Sequence, residues 1–392
     1  MSTPADLPPL SPEETAHSER LVLRIRDAID AQGGWISFER FMEMALYEPG
    51  LGYYSAGSTK LGEAGDFVTA PEISPLFSRC LAAQCMEVFD RLGSMQILEL
   101  GAGSGIMAAD ILAELDAQNH LPEHYYILEV SADLRARQRA TLEQRVPQLL
   151  ARVQWLDQLP KAMRGVVLAN EVLDALPVQR FRIRGTQVNA MGVTWQLGRL
   201  DWSEVHADPE LEAAVRAIET ENGEPFPDGY LSELNLRLGS WIAGIGGVLK
   251  EGVALFIDYG LPQREYYRRE RREGTLLCHY RHRFHDDPLI NVGVQDIGAW
   301  VDFTALANVA VDAGLRVAGF TTQAHFLIGA GIEHFMADIA TRAVTERVQL
   351  ARQAMVLTLP GEMGERFKVI GLAANYDHPL RGFAVRDLLR SL

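Results

Sequence analysis

The sequence ELGAGSG at residues 99–105 decides the fold. Its glycine-rich part, residues 101–105, follows the apolar run Gln96–Leu100 and precedes a helical pattern over residues 106–116, so the stretch predicts a strand, a tight loop and a helix in that order. Three glycines at alternate positions let the backbone turn sharply and approach a ligand without interference from a Cβ atom. In open parallel sheets, ligands bind beyond the carboxyl ends of the strands, where this loop would lie.

Strand and helix patterns continue to alternate on the carboxyl side of this loop. Residues 125–130, 153–156 and 166–169 are short apolar runs typical of strands, and residues 132–145 form a helical pattern. Further along, we expect a helix over residues 230–248 and strands over residues 253–257, 316–320 and 368–373. This alternation predicts an α/β protein with a mostly parallel sheet and helices on both faces.

Composition shifts divide the chain into regions. We expect a flexible tail over residues 1–14 and an N-terminal helical and lid region over residues 15–92. The sheet-bearing core would comprise residues 93–179 and 230–392, with insertions that include residues 261–300. Short alternating stretches from residue 180 onward predict an antiparallel β insertion over residues 180–229.

The overall charge restricts the classes of partner. The 392 residues carry 37 Lys and Arg against 52 Asp and Glu, a formal net charge of −15. Binding to nucleic acid depends on clustered basic residues, so neither nucleic acid nor an anionic membrane surface is expected as the main partner. The sequence contains no apolar run of membrane-spanning length.

The cysteines predict a reducing compartment and no structural metal. Cys80, Cys85 and Cys278 are odd in number and lack metal-ligand spacing, so free thiols in the cytoplasm are expected. The basic cluster in residues 261–285 contains seven arginines. We interpret it as a solvated loop, with a docking surface for an acidic patch as the alternative.

Acidic residues beside the glycines indicate what the loop binds. Dinucleotide folds use G-x-G-x-x-G, whereas Ile106 stands here at the position of the third glycine. Glu99 would repel a pyrophosphate and suits a cationic sulfonium with an amino-acid head. Glu129 follows the next strand and can accept both ribose hydroxyls of an adenosine. Asp157 could receive the adenine amino group, although a solvated turn residue is an equal alternative.

Several longer motifs carry a resemblance to a known family. Besides the loop, they are ISFERFM (36–42), LYEP (46–49), GYY (52–54), GDFVTAPEIS (65–74), NEVLDALP (170–177), DYG (258–260) and REGTL (272–276). The loop and its acids resemble class I S-adenosylmethionine-dependent methyltransferases, and the full set resembles the MidA-like family. That family includes the mitochondrial complex I assembly factor with protein-arginine methyltransferase activity.

The resemblance implies a Rossmann-like fold, S-adenosyl-L-methionine as cofactor and S-adenosyl-L-homocysteine as product. It also implies cofactor contacts by Gly101, Gly103 and Gly105 together with Glu99, Glu129 and Asp157, and cofactor or lid contacts by Asp66 and Thr69. The expected partner is a protein that carries an arginine, and kinship points to a core subunit of respiratory complex I. The sequence does not specify the oligomeric state.

The chemistry of methyl transfer to a guanidinium indicates that carboxylates are the candidate catalytic residues. A guanidinium is protonated at neutral pH, so carboxylates must hold it and accept a proton as the methyl group arrives. Glu171 is the expected guanidinium holder, Asn170 would position it or the cofactor, and Asp174 is a further candidate. Asp174 has the alternative role of a helix cap. A methyltransferase for small molecules and a non-catalytic assembly factor remain alternative functions.

Overall fold

The structure is a computed structural model that describes residues 7–56, 68–93, 96–337 and 339–392. The chain divides into two compact units. Unit 1 contains Met1–Phe67, Leu173–Arg237 and Gln263–Asp302, and unit 2 contains Val68–Val172, Leu238–Pro262 and Phe303–Leu392.

The helices and strands of both units are numbered here in chain order. The helices are α1 (Pro12–Ala31), α2 (Phe38–Tyr47), α3 (Ala70–Ile73), α4 (Pro75–Leu92), α5 (Ile106–Ala117), α6 (Ala132–Arg145), α7 (Pro209–Asn222), α8 (Leu238–Val248), α9 (Gln263–Tyr266), α10 (Phe303–Asp312), α11 (Gln323–Gly329), α12 (Val344–Thr358) and α13 (Met363–Arg366). The strands are β1 (Ile36–Ser37), β2 (Gln96–Leu100), β3 (His124–Leu128), β4 (Val153–Leu156), β5 (Met163–Asn170), β6 (Gln179–Arg184), β7 (Gln187–Gln196), β8 (Arg199–His206), β9 (Leu231–Leu234), β10 (Leu249–Leu261), β11 (Leu277–Tyr280), β12 (Arg283–His285), β13 (Asp296–Gly298), β14 (Val301–Asp302), β15 (Arg316–Thr322) and β16 (Phe367–Ala374).

Unit 2 is built on a mostly parallel sheet, as the alternating pattern predicted. Its strands run in the order β15-β16-β10-β5-β2-β3-β4. Strand β16 is antiparallel to both of its neighbours, whereas the pairs from β10 to β4 are all parallel. The chain proceeds from β2 through β3 to β4 on one side, and β5 then pairs with the other edge of β2. Strand order therefore reverses beside β2, the position at which such sheets bind ligands.

Apolar side chains from helices and strands form the core of unit 2. Helix α4 begins as its sequence predicted: the Ser74 hydroxyl accepts a hydrogen bond from the Leu76 N–H, and Pro75 occupies the first helical position. Helices α4 and α5 bury Phe77, Leu81 and Leu112 in the same cluster as strand residues. Helices α4 and α5, which precede and follow β2 in the chain, therefore share one core with this strand.

Unit 1 contains two antiparallel sheets. The larger has the order β1-β7-β6-β9 with β8 paired to β7, and the smaller has the order β12-β11-β13. Helices α1 and α2 contribute Leu21, Ile25 and Phe41 to its core. The antiparallel strands β6, β7 and β8 were expected from the alternating stretches after residue 180.

The boundaries of three regions of the chain differ from those predicted from the sequence. Helix α1 begins at Pro12, inside the expected tail, because Ser11 and Glu14 form a reciprocal capping box. Residues 261–300, expected as an insertion of the core, belong mostly to unit 1, where β11 to β13 form a sheet. Conversely, helix α4 belongs to unit 2 rather than to an N-terminal region.

The expected helix over residues 230–248 is wrong in its first third. Residues Leu231–Leu234 form strand β9, which pairs with β6 through partners such as Phe181 and Ser232. The helix begins only at Leu238. A strand partner distant in sequence overrides the local helical pattern, as long-range pairing often does.

All three cysteines are free and buried in the structure. Burial raises the pKa of the Cys80, Cys85 and Cys278 thiols, so they stay protonated. Within the described ranges, no helix is both long and apolar enough to cross a membrane.

Candidate functional site

The glycine loop between β2 and α5 requires glycine at each of its three positions. Gly101, Gly103 and Gly105 have φ values of 64°, 53° and 82°, a region that other residues rarely adopt. At Gly105 a Cβ atom would lie 2.9 Å from the Gln138 Cα atom, so only glycine allows helix α6 to pack there. The loop is therefore fixed by backbone geometry and by its contact with α6.

Glu129 lies directly after β3 in an arrangement suited to accepting hydrogen bonds. Its side chain is buried, Oε1 accepts from the Ser131 N–H at 2.9 Å, and Oε2 accepts from Gln138 Nε2 at 3.1 Å. A carboxylate offers about four acceptor sites, so both oxygens retain capacity for further donors. Burial raises the pKa of Glu129, opposed by these hydrogen bonds. The geometry fits acceptance of two ligand hydroxyls.

Glu99 is a buried carboxyl within strand β2. It is 1% exposed, and its Oε2 accepts a hydrogen bond from the Tyr125 hydroxyl at 2.7 Å. Among the described residues, its Oε1 has no hydrogen-bond partner. Burial raises the pKa of Glu99 to about 7. A buried oxygen without a partner is unusual in native proteins and suits a site that a positively charged ligand completes.

Asp157 forms an ion pair. Its Oδ1 accepts from Arg135 Nη2 at 2.6 Å, and its side chain is 85% exposed. Arg135 also donates to the carbonyls of Glu129 and Leu156 at 2.6 and 2.7 Å. The arginine thereby links the ends of β3 and β4. The adenine contact of Asp157 stays a prediction.

The segment before α4 contributes a carboxylate to the glycine loop. Ser104 donates a short hydrogen bond of 2.5 Å to Glu72 in helix α3. Thr69 is the N-cap residue of α3, and its side chain makes no capping hydrogen bond. Asp66 lies outside the described residues. Glu72 therefore lies against the glycine loop.

Asn170 and Glu171 come together at the carboxyl end of β5. Asn170 Nδ2 donates to Glu171 Oε1 at 3.0 Å, and the Glu171 N–H donates to the Ile257 carbonyl of β10 at 2.9 Å. Glu171 has a φ of 53°, uncommon for a residue with a side chain. Asn170 Oδ1 is buried and has no hydrogen-bond partner among the described residues. Strained backbone and an unsatisfied polar atom often mark functional positions.

Asp174 belongs to unit 1 and is buried. Its carbonyl accepts a hydrogen bond from the Ala299 N–H at 3.0 Å. The alternative role as a helix cap is wrong, because the chain continues through turns to strand β6. The pattern NEVLDALP suggested a helix start, but Pro177 and the pairing of β6 favour extended chain.

Three polar residues of α6 were missed by the sequence analysis. Arg135, Gln138 and Thr141 follow one another at intervals of three, so they lie on one side of the helix. Gln138 and Thr141 donate to the loop carbonyls of Gly103 and Ser104 at 3.2 and 2.7 Å. Their spacing at intervals of three was the available signal, but the four arginines in α6 gave the helix the composition of a solvated one.

The arrangement is suited to binding a nucleoside cofactor. The described residues contain no group of three or more His, Cys, Asp or Glu that could hold a metal ion. The glycine loop lies at the switch point of the sheet, and Glu129 presents acceptors at the end of the next strand. These features fit a Rossmann-like nucleoside-cofactor site, and together with the G-x-G-x-G spacing they agree with the resemblance to S-adenosyl-L-methionine-dependent methyltransferases.

Comparison with known proteins identifies the family. The sequence model of a family described as "Putative S-adenosyl-L-methionine-dependent methyltransferase" matches residues 80–321, more than half of the chain. The chain belongs to this family, the MidA-like methyltransferases, which confirms the resemblance read from its motifs. Its cofactor is S-adenosyl-L-methionine.

Relatives of known structure and of named activity support this membership. A Burkholderia thailandensis protein solved with S-adenosyl-homocysteine is 40% identical, has a TM-score of 0.93, and is matched over 99% of this chain and 100% of its own. A mouse protein named protein arginine methyltransferase NDUFAF7, mitochondrial, is 30% identical over 86% of this chain and 81% of its own length. The human protein of that name is 27% identical over 86% of this chain and 80% of its own.

Proposed function

We propose that this methyltransferase modifies an arginine side chain of a protein, and that Glu171 holds the guanidinium. The observation that carries the proposal is the geometry at the end of β5. There Glu171 is kept at a φ of 53° while Asn170 donates a hydrogen bond to its carboxylate. The relatives named protein arginine methyltransferases, at 27–30% identity, support the same substrate class.

The charges of the methyl donor and of the arginine that accepts the methyl group explain why a carboxylate is needed. The cofactor supplies a methyl group on a sulfonium, and a protonated guanidinium must lose a proton as it is methylated. A carboxylate can orient the planar guanidinium through two parallel hydrogen bonds. The hydrogen bond from Asn170 holds one Glu171 oxygen in place. Glu171 would therefore orient the substrate nitrogen and accept the proton that this nitrogen loses as it forms its bond to the methyl group. The methyl–sulfur bond of the sulfonium breaks in the same step, and S-adenosyl-L-homocysteine leaves.

The proposal extends to the identity of the partner. The family resemblance implied a core subunit of respiratory complex I, so we propose such a subunit as the methylated protein. The net charge of −15 suits a basic substrate segment, because long-range attraction raises its encounter rate.

The experiment is transfer of a labelled methyl group from S-adenosylmethionine into proteins of a matching cell extract. Mass spectrometry then locates the label. We expect it on arginine, in a core subunit of complex I. Label on an arginine of another protein would overturn the complex I assignment alone. Label on lysine, or only on small molecules, would overturn the arginine proposal.

A further inference from the structure

Helix α6 buries one polar side chain completely. Its sequence, ADLRARQRATLEQR, is strongly polar, and Gln138 and Leu142 are its buried residues. Gln138 is 0% exposed. A buried amide without partners is costly, so this residue must have its hydrogen bonds supplied by the protein.

The Gln138 carboxamide joins three parts of the cofactor site. Its Nε2 donates to the Gly103 carbonyl at 3.2 Å and to Glu129 Oε2 at 3.1 Å. Its Oε1 accepts from the Trp155 indole N–H of β4 at 2.9 Å. Both amide hydrogens and the amide oxygen are thus used within the site.

The Trp155 indole fixes the orientation of this amide. An indole N–H can only donate, so the amide oxygen must face Trp155 and the NH₂ group must face the carboxylate. A flipped amide would bring its oxygen against both Glu129 and the Gly103 carbonyl. Gln138 is therefore held in one orientation, with its donors toward the glycine loop and Glu129.

We propose that Gln138 is a positioning residue for the cofactor: it fixes the Glu129 carboxylate against the glycine loop so that Glu129 can accept the ribose hydroxyls. The Ser131 N–H donates a hydrogen bond to the other Glu129 oxygen at 2.9 Å, so both oxygens of the carboxylate are held by hydrogen bonds. The proposal rests on the ribose-binding role predicted for Glu129.

Thr141, one turn along α6, supplies a matched comparison. Its hydroxyl donates to the Ser104 carbonyl at 2.7 Å, which also ties α6 to the glycine loop. Among the described residues, the Thr141 side chain makes no hydrogen bond to Glu129. Loss of the Thr141 hydrogen bond would loosen the loop without freeing the Glu129 carboxylate. Comparing substitutions of Gln138 and Thr141 therefore separates an effect on ribose binding from a general structural effect.

The test measures binding of two ligands by calorimetry with the full chain. The ligands are S-adenosylhomocysteine and its analogue without the 2′- and 3′-hydroxyls. In Gln138→Met, which has similar size but no donor, we expect the affinity for S-adenosylhomocysteine to fall about tenfold, because a hydrogen bond to a charged group is lost. Thr141→Val removes one hydrogen bond to the glycine loop and should affect both ligands equally. Gln138→Met also removes one hydrogen bond to the loop, so the analogue should lose only about as much affinity as it loses in Thr141→Val.

Each other outcome contradicts the proposal in a distinct way. Equal losses for both ligands in Gln138→Met would show a general structural role, and unchanged affinities would show no role. If the unsubstituted protein binds both ligands equally well, Glu129 does not receive the ribose hydroxyls and the premise itself fails. If Gln138→Met does not fold, Gln138→Leu, which is smaller and likewise lacks a donor, replaces it, and the same selective loss is expected.

Discussion

At the scale of single residues, the site contains carboxylates in very different surroundings. Glu99 is enclosed and bonded to the Tyr125 hydroxyl, whereas Asp157 is exposed and paired with Arg135. The sequence placed both beside the loop, because each follows or ends a strand. It could not show their surroundings, since Tyr125 and Arg135 reach them only after the sheet and α6 have assembled.

Glu99 gives a prediction about stability and pH. Burial raises its pKa from 4.5 to about 7, so the folded state holds a proton that the unfolded state releases between these values. Stability is therefore lost as pH rises from about 4.5 through about 7, by up to about 3 kcal/mol. Glu99→Gln removes this loss. The free energy of unfolding of the variant minus that of the unsubstituted protein should therefore be larger at pH 8 than at pH 5.

Urea denaturation of both proteins without ligand at the two pH values measures this difference. Any cost of the new amide in the buried position is the same at pH 5 and pH 8, so it cancels. An equal difference between the two proteins at both pH values would show that Glu99 has an ordinary pKa.

At the scale of elements, the strand–loop–helix unit was largely predictable, and strands β2 and β4 have the bounds expected from sequence. Glycine spacing and short apolar runs are local signals, and here tertiary contacts did not change the structure that they predict. The local pattern of strand β9 predicts helix, because the pairing that makes it a strand is with β6, about fifty residues away. The role of α6 was hidden because its packing depends on Gly105, a contact between separate elements.

That contact between loop and helix gives a second prediction. Gly105→Ala combines an unfavourable φ of 82° with a Cβ atom 2.9 Å from Gln138 Cα. It should displace α6, lower the free energy of unfolding by more than about 2 kcal/mol, and weaken binding of S-adenosylhomocysteine. Calorimetry and urea denaturation measure the two effects.

Gly93→Ala is the matched control for this substitution. Gly93 ends α4 with a φ of 61°, and a Cβ atom there would meet nothing within 4 Å. The control should cost about 1 kcal/mol from its φ alone and leave ligand affinity unchanged. Equal effects of the two substitutions on stability and affinity would contradict the role given to the contact with α6.

At the scale of the whole molecule, the charge is distributed less simply than the sequence suggested. Arginines of the 261–285 segment pair with acids of unit 1: Arg269 with Glu224 at 2.8 Å, and Arg281 with Glu14 at 2.8 Å. Exposed pairs of this kind contribute little to stability, but they neutralise part of the basic cluster. The solvated-loop interpretation is incomplete, because this segment also contains strands β11 and β12.

Ligand linkage gives a prediction for the whole chain. A ligand that binds only the folded protein stabilises it by about 2.7 kcal/mol at a hundred times its Kd. S-adenosylhomocysteine should therefore raise the thermal unfolding midpoint, whereas NAD should not, because the glycine spacing and Glu99 disfavour a pyrophosphate. Scanning calorimetry with each ligand tests this. A comparable rise with NAD would contradict the assignment of the loop.

The most direct test of the account concerns Glu171. Methyl transfer by Glu171→Gln is measured at saturating S-adenosylmethionine, on the protein substrate found by labelling, together with its affinity for S-adenosylhomocysteine. Glu251→Gln, which removes an exposed ion pair with Arg164 in the same unit, serves as the control. We predict at least a hundredfold loss of transfer in Glu171→Gln, with the affinity within about twofold of the original value. Retained transfer, or lost cofactor binding in a folded protein, would contradict the role of Glu171 as guanidinium holder.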